Sequence, residues 1–391
     1  MTKKRTLQIL AVFWVIAFVL GVIGLAQKFA TGERLAGYGS YVPWGLWVAL
    51  YFHGVGIAGG VFTVGVAGYL FGVAGLREHL RVTLWVSAVA MATGLLAIWL
   101  DIGQPRRIYR LLTAPSFTSM MAFNAWLYWA FLAMLAVSFG LSFRKASPRA
   151  LNDRSGWLVP LLLVGLVMAV VFPSQGGAFL GVVDAKPHWN SALMPVLFLC
   201  SAVAAGAAVL LLVHTFLLPE NMPPTEPPLK MLRRVTLGAT IFYLGAEFAE
   251  FSIAYWMPHG EHRQAFDLVL FGPFWWVFWI VHLGGALMAI LLLLRGHSLP
   301  AVGAGAFLVA LTFVSTRLNI LIPGQSVTEL KGLQGAFHHS RLSHYYVATL
   351  NEYLVAMFIG ALGVGLVYLG VAALRRFSMP TEAKKHHERQ G

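Results

Sequence analysis

One cysteine, Cys200, in the whole chain excludes a disulfide framework, a CxxC redox pair and a thiolate set for an iron–sulfur cluster, so any such cluster belongs to a partner. No GxxxxGK[ST] loop is present, which removes the usual phosphate cradle of an ATP-driven pump. Charge is scarce as well: 11% of the 391 residues are Asp, Glu, Lys or Arg, against 58% hydrophobic, more apolar surface than one soluble core could hide. The excess of 28 Lys+Arg over 15 Asp+Glu lies in short loops between apolar runs. In a nucleic-acid binder it would gather on helices or arms, so no nucleic-acid partner is expected. The solvent for most of this chain is the lipid bilayer.

What the sequence does contain is a series of long apolar runs. At about 20 residues per crossing, about ten spans are predicted, centred near Val15, Gly56, Ala90, Ala133, Gly165, Ala202, Tyr243, Leu283, Val309 and Phe358. The fold class is all-α: a polytopic membrane protein, two four-helix bundles plus two flanking helices. One integral membrane domain is expected over 1–391, with a flanking helix at about 8–27, a first bundle at about 42–183, a second at about 189–323, a last helix at about 347–374 and a tail at 375–391. The first apolar run, to about Ala26, exceeds the roughly 7 to 15 residues of a signal-peptide core and reads as an anchored helix.

Loops after alternate helices carry Arg77 and Arg81; Arg144, Lys145, Arg149 and Arg154; Lys230, Arg233 and Arg234; Arg295; and the tail residues Arg375, Arg376, Lys384 and Lys385. By the positive-inside rule these are cytoplasmic, together with Lys3, Lys4 and Arg5, so both termini face the cytoplasm of a prokaryotic inner membrane. Arg106, Arg107 and Arg110, and Lys331 and Arg341, run against that rule on the opposite side. The longest stretch outside the membrane, 325–346, holds His338, His339, His344, Tyr345 and Tyr346 and is too short for a core of its own, so it is expected to cap a site or dock a partner. A weak internal echo links Pro43 and Trp44, followed by the small-residue stretch Gly54 to Gly60, with His188 and Trp189, followed by Ser201 to Ala208. That is the pattern of two parallel four-helix repeats.

The informative residues are polar groups inside spans, since an ionisable side chain there costs on the order of 2.5 to 3.5 kcal/mol and needs partners or water. His53, Asp101, Glu247, Glu250, His282, Arg317, Asn319 and Glu352 qualify, nearly all placed in the outer half of the membrane, with the inner half almost free of such groups. Glu247 and Glu250 share a helix face with Tyr243, and Arg317 lies at a similar depth as their expected counter-ion. A buried ion pair that fixes packing and a proton relay fit that group equally. Glu352 joins the relay or snorkels to the interface. His53 is either a hydrogen-bonded core residue or a proton-exchanging partner for a quinone carbonyl. Asp101 either pairs with Arg106 and Arg107 at the interface or accepts protons from a quinol. Trp44 and Trp47 belong to an aromatic belt or to a ligand wall.

The motifs PWGLWVALYFHGVGIAGG, WLDIGQPRRIYRLL, SFTSMMAFNAW, FPSQGGAFLG…KPHWN and TLNEYLVAMFIGALG, in that order, resemble the NrfD/polysulfide reductase membrane-subunit family, most closely its ten-helix, hydrogenase-type (HybB) branch. The resemblance covers nearly the whole chain. It implies a subunit without bound haem or redox metal, a quinone (menaquinone or ubiquinone) held near the outer face, and electron exchange with an iron–sulfur, ferredoxin-like partner outside. A further catalytic subunit is implied, of hydrogenase, molybdenum or multihaem cytochrome type. Carried over residue by residue, the family's quinone-facing His falls at Tyr51, with His53 two residues on. Its Tyr before a Pro-Gly pair falls at Phe172, which has no hydroxyl, and its acidic residue at the end of the next helix falls at Asp101.

Together these readings predict a quinone-reactive anchor of a respiratory oxidoreductase, with Asp101 and His53 as catalytic residues. Tyr51, Trp44, Trp47 and Phe172 complete the pocket, and Glu247, Glu250, Arg317 and Glu352 form a proton relay. The outer loops with Arg106, Arg107, Arg110 and His338 to Tyr346 are the expected docking surface. A haem b subunit is the nearest alternative, because His53 and His282 lie at similar depth. A secondary transporter or ion-conducting subunit is the other, supported by the possible repeat and opposed by the sparse polarity of the inner half.

Overall fold

The computed structural model describes residues 3–378 except 74, 115, 145–155, 219–224, 257–259, 297, 329, 331, 337, 338, 340 and 341. Lys145, Arg149, Arg154, Lys331, His338, Arg341, Lys384 and Lys385 lie outside the described residues. Ten helices are long and apolar enough to cross a membrane, and among the described residues there is no strand. In chain order they are α1 (Lys3–Thr31), α2 (Leu46–Phe71), α3 (Leu80–Asp101), α4 (Met120–Arg144), α5 (Leu158–Gly181), α6 (Met194–Phe216) and α7 (Pro227–Trp256). A shorter helix, α8 (Glu261–Phe271), precedes α9 (Val277–Arg295), α10 (Leu299–Ser326) and α11 (Leu350–Ser378). The chain is an all-helical multi-pass membrane protein. An even number of crossings returns it to the side on which α1 begins.

Helices α2 to α5 pack as one bundle and α6, α7, α9 and α10 as another, while α1 pairs with α11, which leans on α3. The bundles meet along α2 and α6, on the two small-residue stretches of the internal echo. A Cβ on Gly60 would stand 1.9 Å from the Ala202 carbonyl oxygen, and one on Gly206 2.3 Å from the Gly60 carbonyl carbon. Only hydrogen at both positions lets the backbones touch. At the helix starts, Trp44 and Trp189 stack with ring centroids 5.7 Å apart and planes inclined by 13°. The two halves of the echo therefore face each other.

Several spans depart from a regular helix where their sequence asks for it. Pro173 lies inside α5, and α10 is interrupted at Phe313 between Leu299–Thr312 and Val314–Ser326. Around that break the hydroxyls of Thr312, Ser315 and Thr316 donate to the carbonyls of Leu308, Thr312 and Phe313, so hydroxyls near the break stay bonded to backbone in a solvent without water. The first part of α9, Val277–Gly284, is wound as a π-helix. Such wide turns are rare and concentrate at functional sites. The start of α11 is a capping box: the Thr349 hydroxyl accepts from the Glu352 N–H at 3.3 Å, and the Glu352 carboxylate from the Thr349 N–H at 2.9 Å.

Candidate functional site

All eight in-span polar residues gather toward one end of the bundles, where α3, α7 and α10 finish and α2, α9 and α11 begin. The opposite end is less empty than the sequence reading expected. There His214 and Arg81 are buried, with the His214 ring edge-on to His79 at 5.4 Å and Arg81 donating to the Ser142 carbonyl at 2.8 Å. Residues so near helix ends read as interfacial from sequence, whereas α4 covers Arg81 with Ser142 and Phe143.

The residues at the first end form distinct hydrogen-bonded groups, the first two of them joined by Tyr51, which packs against the clusters of both Trp47 and Phe172. In the first group Asp101 closes α3 with its Oδ1 buried and, among the described residues, without a hydrogen-bond partner. The expected pairing with Arg106 and Arg107 does not form: both arginines are exposed, and the charges acting on Asp101 are Glu33, Lys28 and Glu352. Lys28, itself buried, pairs with Glu33 and lies 4.5 Å from the centre of the Trp47 ring. Trp47 donates to the Glu352 carbonyl oxygen at 3.1 Å.

Glu352 does not snorkel. Its side chain is fully buried and accepts from the Tyr346 hydroxyl at 2.6 Å, the Gly37 N–H at 2.8 Å and the Thr349 N–H. Tyr346 in turn accepts from the Leu46 N–H at 2.8 Å. Burial beside the Glu352 carboxylate raises the Tyr346 phenol well above its ordinary value, so it stays protonated. Lys28, Glu33 and Tyr346 complete this group, and sequence reading had not joined them to Asp101. The only available signal was their position at the same ends of the flanking helices.

The second group sits inside the first bundle. The Tyr51 and Tyr128 hydroxyls lie 2.9 Å apart, and the Tyr128 ring meets Phe172 edge-on at 5.8 Å. Phe172 is fully buried against Phe131 as well. A hydroxyl is therefore present beside Phe172 after all, contributed by α4 from Tyr128. His53 turns the other way, as a step of two residues along a helix requires. Its Nε2 bonds the Ala310 carbonyl oxygen at 2.8 Å, in the turn before the break in α10. Trp44 belongs to neither group; its backbone N–H and C=O both bond the Gln325 side-chain amide, at 2.9 and 3.1 Å. The expected single pocket of Tyr51, His53, Trp44, Trp47, Phe172 and Asp101 is thus not shared by all six: Tyr51 packs against both the Trp47–Leu100 cluster and the Phe172 cluster, while His53 and Trp44 turn to Ala310 and Gln325.

In the second bundle, Arg317 is not the counter-ion of the two glutamates. Glu247 Oε2 lies 2.7 Å from His282 Nε2, and the Tyr243 hydroxyl donates to Glu247 Oε1 at 3.1 Å. Glu250 accepts from the Ser191 hydroxyl at 3.0 Å. Arg317, 1% exposed, donates to the Ser201 hydroxyl at 2.6 Å and the Phe198 carbonyl at 3.3 Å, stacks 3.7 Å over the Phe198 ring, and leaves Nε and Nη1 without partners among the described residues. Depth along each helix had suggested the ion pair. The rotation of α10 about its axis, which depth does not report, sends the guanidinium to α6 instead.

Of the expected docking residues, Arg106, Arg107 and Arg110 are exposed and Tyr345 is 58% exposed. His344 and Tyr346 are buried, His344 stacking on Tyr41 at 4.0 Å, so part of that segment ties itself to the helices.

A family model described as "Polysulphide reductase, NrfD" matches residues 35–329. The chain belongs to the NrfD/polysulfide reductase family. A selenate reductase subunit of Mesobacillus selenatarsenatis is 25% identical, over 92% of each chain. Protein NrfD of Escherichia coli is 30% identical over 72% of this chain and 95% of its own length. The Hdr-like menaquinol oxidoreductase integral membrane subunit of Archaeoglobus fulgidus is 24% identical over 75% of this chain and 74% of its own. As an NrfD-family membrane protein, the chain has relatives named as subunits of a reductase and of an oxidoreductase.

Proposed function

We propose that this NrfD-family protein is the quinone-reactive membrane anchor of a respiratory oxidoreductase, passing electrons between membrane quinone and an iron–sulfur subunit docked at the Asp101 end. The observation that carries the reading is Asp101 itself. Its side chain is half-buried, with Oδ1 buried and without a hydrogen-bond partner among the described residues, and an unpaired acceptor at the end of a span costs stability that a purely structural residue would not repay. A group that must take up and release protons fits the position. The menaquinol oxidoreductase relative supports the substrate class. The quinone couple supplies two-electron, two-proton chemistry; this chain's residues would orient the ring, exclude water and take the protons toward the outer face through Asp101, beside Lys28 and Glu33. We assign the Asp101 end to the outer side because the Lys- and Arg-rich loops lie at the other. The exposed Arg106, Arg107 and Arg110 are the proposed contact for the partner.

The haem b reading is less well supported, since His53 Nε2 is engaged by the Ala310 carbonyl and His282 Nε2 by Glu247. The test is purification of the complex in mild detergent and assay of quinone-linked electron transfer. Asp101→Asn should leave assembly intact and slow turnover by about 10²-fold, the lower range for loss of a general acid–base group. Unchanged turnover would remove Asp101 from the mechanism. A chain that purifies without a redox partner and without quinone-linked activity would overturn the function.

A further inference from the structure

The charged groups around Asp101 come from outside the family-matched segment 35–329: Lys28 from the end of α1, Glu33 from the turn after it, and Glu352 from the first turn of α11. Helix register brings them there. One core cluster joins four helices inward of this end, with Leu25 of α1, Trp47 of α2, Ala97 and Leu100 of α3, and Val355 and Ile359 of α11. Lys28 stands three residues beyond Leu25, Asp101 four beyond Ala97, and Glu352 three before Val355, each one turn nearer the same end. A spacing of three or four keeps a residue on the helix face of its neighbour, so the ammonium and both carboxyls converge over the cluster.

Lys28 is held there from two sides. The Asn351 Nδ2 donates to the Gly24 carbonyl at 2.9 Å, which ties α1 to α11 one turn before Lys28. The buried Lys28 ammonium lies 4.5 Å from the centre of the Trp47 ring and pairs with Glu33. Glu352 is committed elsewhere, to the Tyr346 hydroxyl and the Gly37 and Thr349 N–H groups. From α2 comes Trp47 and no charged group, and Arg106 and Arg107 stay exposed. One ammonium therefore stands against two carboxylates in the surroundings of Asp101.

We infer that Lys28 is a positioning residue for proton release from Asp101: its ammonium, held over Trp47, favours the carboxylate left when the Asp101 O–H bond breaks and the proton passes to water at the outer face. This rests on Asp101 as the proton-exchanging group of the reading above, and adds its regulation by the flanking helices. Glu33 opposes Lys28, since its carboxylate offsets the ammonium and repels charge on Asp101. A Lys28–Glu33 pair that only anchored the end of α1 would leave the protonation of Asp101 unchanged.

The experiment is an infrared titration of the full chain in mild detergent, following the carboxyl carbonyl band that Asp101→Asn removes. Lys28→Met should move the midpoint of that band to higher pH by about one unit, the low end for a carboxyl that loses a nearby opposite charge. Lys28→Arg should restore the midpoint. Glu33→Gln, a change on an exposed residue, should move it to lower pH. The pH profile of quinone-linked turnover should shift in the same directions. Midpoints unmoved in both Lys28→Met and Glu33→Gln, or moved in one direction by both, would reduce the pair to an anchor and overturn the inference. So would the absence of any titrating band that depends on Asp101. Midpoints that move as expected, with turnover indifferent to Asp101→Asn, would keep the inference and overturn the place of Asp101 in quinone turnover.

Discussion

The two bundles solve the same problem with different chemistry. In the first, α2 to α5 close over rings: Tyr51, Tyr128, Phe131 and Phe172 pack edge to face, and the two hydroxyls satisfy each other. In the second, the equivalent space holds Glu247, His282 and Tyr243 in a hydrogen-bonded chain, with Arg317 a little apart on Phe198. An apolar, aromatic interior tolerates small changes of shape, whereas a polar one in lipid fails as soon as one member loses its partner. The second bundle is therefore the fragile half.

The sharpest way to break this comparison is Glu247→Leu, which leaves the fully buried His282 without its partner. A loss of about 3 kcal/mol is expected, the low end for orphaning one member of a buried pair. It would be read as a large drop in thermal midpoint in detergent, with Glu247→Leu/His282→Leu recovering much of it. A double variant no more stable than the single would show that the pair is not what holds α7 to α9.

Acid should expose a second weakness, in the loop between α5 and α6. Burial pushes the His188 imidazole down to about 4, while its Nε2 donates to the Asn319 carbonyl at 3.2 Å. In the unfolded chain this histidine takes a proton near its ordinary 6.5, so between 6.5 and about 4 the unfolded state binds more protons and stability falls as the pH is lowered. His188→Gln should flatten that fall and change little at pH 8, as read from thermal midpoints across the range. An equally steep fall in the variant would assign the acid sensitivity to another group.

The smallest effect belongs to the aromatic bundle. Tyr128→Phe deletes one partner of the 2.9 Å hydroxyl contact and should cost about 1 kcal/mol, with the second bundle unaffected. A loss as large as that of Glu247→Leu would mean that the rings of the first bundle depend on that contact, and the contrast between the halves would disappear.

The long apolar runs determined ten helices, because a backbone in lipid must bond to itself and about 20 residues span the bilayer. The sequence also determined the surface on which the bundles meet. Gly54 to Gly60 and Ser201 to Ala208 are the stretches small enough for backbone contact between α2 and α6, and they are where the contact is made. It determined which residues are costly in lipid, and all eight do lie toward one end. Tertiary structure alone decided who their partners are. Depth along a span can be counted from its ends, but partnership depends on the rotation of each helix about its axis and on breaks such as those at Phe313 and in Val277–Gly284. That is why Arg317 meets Ser201 in place of a glutamate, why His282 takes Glu247, and why Asp101 lies near Lys28 and Glu33, far away in sequence.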